Sequence, residues 1–168
     1  RVSISGVSIV DHDYVSPIEY KREVPGDKNS KKILQWANGG KLNLKGGELK
    51  GLIELVDENG EGGSYRGIPF YQEKLDDFVK GFAEKINEVH KDGYGYKKDD
   101  KGIAFFVNGE GAESGIKAIN ITISDKILED VGNIAVAKDD GNDVEDNRNM
   151  LAILALREKK DFFSEGMS

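Results

Sequence analysis

The stretch "IPFYQEKLDDFVKGFAEKINEVHKDGY", residues 68–94, decides how the chain must be arranged. Pro69 suits the first turn of a helix, where its missing N–H costs nothing, and Gly93 suits its end. At 100° per residue, Tyr71, Leu75, Phe78, Val79, Phe82, Ile86 and Val89 fall within an arc of roughly 100°, the width of a core-facing stripe. Lys74, Asp77, Glu84, Lys85, Glu88 and Lys91 occupy the other side. The spacing therefore predicts a helix from Pro69 to about Lys91 with that stripe turned inward. Gly81 inside it should cost about 1 kcal/mol relative to Ala. That cost implies either a close backbone contact or simple tolerance.

Upstream, the period changes. Leu49, Leu52, Ile53 and Val56 follow the i, i+3, i+4, i+7 rule, with Glu48 in the first turn, so a short amphipathic helix is expected. "DENGEGGSYRG" ends it in a glycine-rich loop. The first third reads as β. In "RVSISGVSIV" the apolar parity shifts across Gly6, as it would between two short strands. "KKILQWANGGKLNLKGG" predicts a hairpin: Ile33 to Ala37, a turn at Asn38, Gly39 and Gly40, then alternating Leu42 and Leu44. The polar "SPIEYKREVPGDKNSKK" between them reads as an exposed connection with room for one edge strand. These patterns divide the chain into a β-rich lobe, residues 1–45, and a helix-bearing lobe, residues 46–168.

Downstream, "DGYGYKKDDKG" is a loop and "IAFFV" a short buried-strand candidate. In "IKAINITIS" the clean alternation of Ile119, Ile121 and Ile123 predicts a strand. "DKILEDVGNIAVAK" predicts one helical turn and a short extended piece. "DVEDNRNMLAILALRE", residues 143–158, sets acids and amides before an apolar run in which Met150, Leu151, Ile153, Leu154 and Leu156 spread around most of a helix. Such a helix is buried on all sides. Either it is sandwiched between the sheet and the long helix, or part of its surface awaits another helix.

Several function classes are excluded by composition. With 24 Lys and Arg against 31 Asp and Glu, the net charge of -7 repels phosphate backbones and anionic lipid, so neither nucleic acid nor a membrane is an expected partner. No apolar run reaches the roughly 18 residues of a spanning helix. The absence of cysteine removes disulfides and thiolate chemistry. The chain starts at Arg1 inside a strand-like pattern without an initiator Met, which reads as a fragment of something longer, with precursor processing as the alternative.

Candidate sites are few. Asp139, Asp140, Asp143, Glu145 and Asp146 supply oxygens of the kind calcium takes. The EF-hand spacing is not met, however. Asp143 or Asp146 serves better as the cap of a helix beginning near Asn147, with the other acids at its positive end. His90 lies where positive charge suits a helix C-terminus, and "NEVHKDG" lacks the second His of a zinc protease motif. His12 has an Asp on each side, but strand alternation would put the acids on one face and the imidazole on the other. No G-x-S-x-G, no P-loop and no G-x-G-x-x-G after a strand is present. Acid–base catalysis would need one carboxyl with a burial-raised pKa, and the acids here sit in loops and on polar faces.

Three blocks carry a resemblance: "GGELKGLIELVD" (46–57), "IPFYQEKLDDFVKGFAEKINEVHKDGY" (68–94) and "EDNRNMLAILALR" (145–157). In order and character they resemble the family of flagellar hook-associated protein 1, the hook-filament junction proteins. "FAEKINEVHKDGY" and "DNRN" before a leucine-rich helix are the most specific parts. The Phe105–Phe106 pair resembles the aromatic pair after that family's glycine-containing loop. The likeness covers roughly residues 40–160. The chain departs from the family at Val56, where Arg is common, and in having only "VNGEGAESG" where several members carry an inserted β-rich domain.

The resemblance implies a structural subunit with no catalytic residue, metal or cofactor. It would be exported through the flagellar type III apparatus and lie outside the cell between hook and filament. Its implied partners are copies of itself, the hook protein, the next hook-associated protein and an export chaperone for the intact chain. The family assembles through terminal heptad helices that this chain lacks. The expectation is therefore an α+β domain of short strands and hairpins packed against a long helix and a C-terminal helix. The rivals are another axial protein of the flagellum, a secreted calcium-dependent binding module using residues 139–146, and a carboxylate-dependent hydrolase.

Overall fold

The computed structural model describes residues 2–4, 6–22, 32–40, 42–96, 101–139 and 145–159. It is an α+β structure of short antiparallel strand pairs and helices, dividing into two compact units, Arg1–Tyr71 and Gln72–Ser168.

In the first unit, strands β1 (Val2–Ile4), β2 (Val7–Asp11) and β3 (Tyr14–Val15) form an antiparallel sheet in that order. Gly6, at φ 83°, makes the first reversal, as the parity shift predicts. The second reversal places His12 at φ 53°, left-handed backbone that costs a non-glycine residue strain. This corrects the strand alternation expected at His12: Asp11 pairs with Tyr14, and His12 sits in the turn between them.

Strand β4 (Ile18–Arg22) pairs with β5 (Lys32–Trp36) over five residue pairs, from Ile18 opposite Trp36 to Arg22 opposite Lys32. Here the expected hairpin is only half realised. Its turn forms, with Gly39 at φ 86° and the Trp36 N–H on the Gly40 carbonyl at 2.8 Å, and the Leu42 N–H reaches Leu34 at 3.4 Å. Residues 42–45 form no strand, and the segment read as a connection supplies the partner instead. Among the described residues of this unit, Trp36 and Leu42 are the buried side chains.

Helix α1 (Glu48–Asp57) forms where its period predicts, yet Leu49, Leu52, Leu55 and Val56 are exposed. Gly67 closes onto its end: the Gly67 N–H donates to Glu58, and a Cβ there would lie 2.4 Å from the Glu54 carbonyl oxygen.

Helix α2 (Ile68–Asp92) runs the predicted length, but it buries a different face. Its buried residues are Ala83, Asn87 and His90, turned about 100° from the centre of the apolar stripe. Tyr71, Leu75 and Phe78 remain exposed. The reason lies in what this face covers. Outside its helices, the described part of the second unit is largely irregular backbone, with two-residue strands β6 (Phe106–Val107) and β7 (Thr122–Ile123), and irregular backbone needs polar partners. Phe82 still packs inward on Phe106, ring centres 5.6 Å apart, and Phe106 on Phe105 at 4.9 Å.

The strand expected over Ile119 to Ile123 shrinks to β7, and Ile119 is 93% exposed. Local side-chain bonds overrule the alternation. Asn120 accepts from the Lys117 N–H and donates to the Gly115 carbonyl, while Asp76 on α2 takes the Ala118 N–H at 2.9 Å. The result is a turn that buries Ile116 instead. Helix α3 (Asp125–Glu129) and an extended strap at 134–137 follow as predicted, joined by a 3-10 turn (Val131–Asn133) that the pattern did not show, and α4 (Arg148–Ala155) ends the described chain in another 3-10 turn.

Candidate assembly surface and the clasp behind it

The polar residues that α2 buries act as a clasp. Asn87 donates through Nδ2 to the Phe106 carbonyl at 2.7 Å and accepts through Oδ1 from the Phe105 and Phe106 N–H groups at 2.9 and 2.8 Å. One amide thereby satisfies three backbone groups, as a neighbouring strand would. One turn on, His90 is 1% exposed. Its Nδ1 donates to the Ile103 carbonyl at 2.8 Å, and its Nε2 accepts from the Ala135 N–H at 2.9 Å. A backbone N–H on one nitrogen and a carbonyl on the other require a neutral ring with its proton on Nδ1. Burial lowers the His90 pKa from its ordinary value, against the smaller upward pull of the Ile103 bond. The expectation of a charged His90 favouring the helix end is thus corrected: it is a neutral two-way bracket between α2 and two backbone segments.

The strap is held from its other side by α4. Asn149, fully buried, donates from Nδ2 to the Ala135 carbonyl at 2.8 Å, and the Asn149 and Met150 N–H groups both reach Val136. Tyr94 and Ala137 exchange two backbone bonds of 2.8 and 3.1 Å. Gly93 is required at this crossing, because a Cβ would lie 2.1 Å from Asn149 Nδ2.

The acidic stretch before α4 now has its answer. The helix starts at Arg148, beside the expected Asn147, and Asn147 makes no side-chain cap. Asp146 does that work. Its Oδ1 accepts from the Arg148 N–H and Nε, and its Oδ2 from the Lys138 and Asp139 N–H groups and the Arg148 guanidinium. Arg148 also pairs with Asp139. The Arg148 hydrogen bonds hold the Asp146 carboxyl well below the usual carboxylate range, and the two aspartates raise Arg148 in turn. The oxygens that a calcium ion would need from Asp146 are already committed to N–H donors. Glu145 is exposed, and Asp140 and Asp143 lie outside the described residues. Among the described residues, no group of three or more His, Asp or Glu side chains is placed to hold a metal.

His12 is exposed, its Nδ1 2.9 Å from Asp11. Glu73, Asp76 and Asp77 line an open depression of about 430 Å³ with Lys80 and Lys117, but Asp76 is engaged by the Ala118 N–H. Asp92 is also held down, first by its bond to Lys138 and then by the charges of Lys138 and Lys101. Lowered carboxyls are the reverse of what a general acid needs.

What the helices present outward is apolar. On α4, Leu151 and Leu154 are 54% and 59% exposed, one turn apart, while Leu156 is buried and Met150 and Ile153 are half-buried. The helix is therefore not sandwiched. Leu75 and Phe78 on α2 and the four apolar residues of α1 are exposed in the same way. Nothing in the sequence period distinguished these from core positions, whereas Asn87 and Asn149, polar residues to which the period assigned no face, are core. No described helix is long and apolar enough to cross a membrane.

Comparison with known proteins places this geometry. No curated protein and no solved structure matches the chain. The family described as the flagellar hook-associated protein FlgK helical domain matches residues 1–106. That span takes in the first forty residues, α1, all of α2 and the Phe105–Phe106 pair that Asn87 holds, and it ends before the DNRN block. The chain belongs to the FlgK family of flagellar hook-associated proteins, structural proteins of the bacterial flagellum.

Proposed function

We propose that this chain is the non-axial body of a junction subunit between hook and filament, exported by the flagellar type III apparatus and working outside the cell without a catalytic residue, metal or cofactor. In this reading residues 1–45 form a β-rich lobe and residues 46–168 a helix-bearing lobe of one central region. Its partners are copies of itself, the hook protein, the next hook-associated protein and, before export, a chaperone.

The observation that carries the reading is the exposure of Leu151 and Leu154 on α4, with Leu75 on α2. Apolar residues at helical spacing that stay exposed among the described residues are suited to a neighbouring helix. The resemblance to the junction proteins implies terminal helices in the intact subunit, and these are the natural neighbour. The test is the double variant Leu151→Ser, Leu154→Ser in the full-length parent protein, added to purified hooks. Folding of the 168-residue chain should change by no more than about 1 kcal/mol, about 0.5 kcal/mol for each exposed position, while incorporation at the hook end is lost. Unchanged incorporation would overturn the reading.

A further inference from the structure

His90 is the only described residue that pins both the Ile103 carbonyl and the Ala135 N–H, and we propose that it is an acid latch. Protonation of its ring releases the 134–137 strap, and with it the first turn of α4, from α2.

The geometry allows no gentler response. An imidazolium carries hydrogen on both nitrogens, so Nε2–H would face the Ala135 N–H across 2.9 Å, donor against donor. The ring cannot flip away, because Nδ1 is tied to Ile103 and Phe105 packs on it edge-on with ring centres 5.4 Å apart. Ala135 cannot rotate alone either. Its carbonyl is held by Asn149, its neighbour Val136 accepts from Asn149 and Met150, and Ala137 is paired with Tyr94. The strap must lift as a piece, and the α4 amides bonded to Val136 go with it.

Among the described residues, no counter-ion meets the charged ring. The recess of about 170 Å³ against His90 is lined by Ile86, Phe105, Phe106, Ile134, Met150 and Ile153. The charged groups on each packed element point elsewhere. On α2, Lys91 pairs with Glu113 and Asp92 with Lys138. Ahead of Ile103, Lys101 lies over the Tyr94 ring, 4.5 Å from its centre. Just past the strap, the Lys138 amine is taken by Asp92, and Asp139 by Arg148 of α4. Asp146, which accepts the Lys138 and Asp139 amides, stays ionised far below the range in which an imidazole titrates, so these outer ties persist and act as a hinge. The latch thus opens locally.

The sign follows from linkage. The folded ring takes its proton less readily than the freed ring, so the closed state is fully favoured above the ordinary histidine pKa of about 6.5. It loses up to tenfold in population ratio for each pH unit below that, until the folded ring itself titrates.

The experiment is amide hydrogen exchange of the ¹⁵N-labelled 168-residue chain from pH 8 to pH 5, expressed as protection factors. Protection at Ala135, Tyr94 and Ala137 should fall about tenfold per pH unit below about 6.5, while Glu84 in the middle of α2 keeps its protection. In His90→Gln, which cannot titrate but retains an acceptor for Ala135, the three profiles should be flat. Parallel profiles in the two proteins, or equal losses at Glu84, would overturn the latch. If His90→Gln fails to fold, the ring nitrogens of the wild-type chain decide: Nε2 must gain its proton in step with the loss of Ala135 protection, and protonation without that loss refutes it.

Discussion

Replacing Asn87 with alanine removes one side chain and leaves three part-buried backbone groups, the Phe105 and Phe106 N–H and the Phe106 carbonyl, without the partner described above. An unpaired buried polar group costs about 1–3 kcal/mol. Three independent groups would cost about 3–9 kcal/mol. The true loss belongs at the low end, because two of the groups share one residue and a water can enter the half-buried Phe105–Phe106 edge. We expect about 3–4 kcal/mol. With a urea dependence near 2 kcal/mol per molar, the unfolding midpoint followed by helical circular dichroism should drop by about 1.5–2 M. The same assay on Glu84→Ala, an exposed position of α2, should stay within about 0.5 kcal/mol. A loss under about 1 kcal/mol for Asn87→Ala would mean that the amide is not holding the aromatic segment, and the account of the buried α2 face would fail.

Gly81→Ala should stabilise α2 by up to about 1 kcal/mol, measured by thermal melting, because nothing lies within 4 Å of the added Cβ. Gly93→Ala should cost about 2 kcal/mol or more, with exchange protection of Asn149 reporting the damage, because the Cβ meets Asn149 Nδ2 and the Ala137 carbonyl. Asp146→Asn should flatten the acid limb of the stability profile. The folded Asp146 pKa is lowered, so its contribution is present above the ordinary carboxylate value near 3.9 and is lost as pH falls from there toward the folded value. An acid limb identical to that of the parent chain would refute that role.

Much of the architecture is legible in residue pattern. The two helices 48–57 and 68–92, the Gly6 reversal, the Asn38-Gly39-Gly40 turn and the start of the C-terminal helix all follow from propensity, glycine placement and period, and the structure has each of them. These are local preferences, and neighbours in sequence suffice to set them. Strand partners were not legible: Ile33 to Trp36 alternates equally well against residues 42–44 or 18–22, and only the competition between the two decides. The expected Ile119 strand fails for a related reason, since Asn120 and Asp76 offer the backbone better partners than a ladder would.

The sequence by itself settled the class of elements, the absence of thiol chemistry and, through the blocks at 46–57 and 68–94, the family. Tertiary structure alone decided which face of each helix is inside. Period reports that apolar residues share a side; it does not report whether anything is there to cover them. Leu75, Phe78, Leu151 and Leu154 stay outside, whereas His90, Asn87 and Asn149 go in, because the segments at 101–107 and 134–137 bring unpaired carbonyl and N–H groups that only hydrogen-bonding side chains can satisfy.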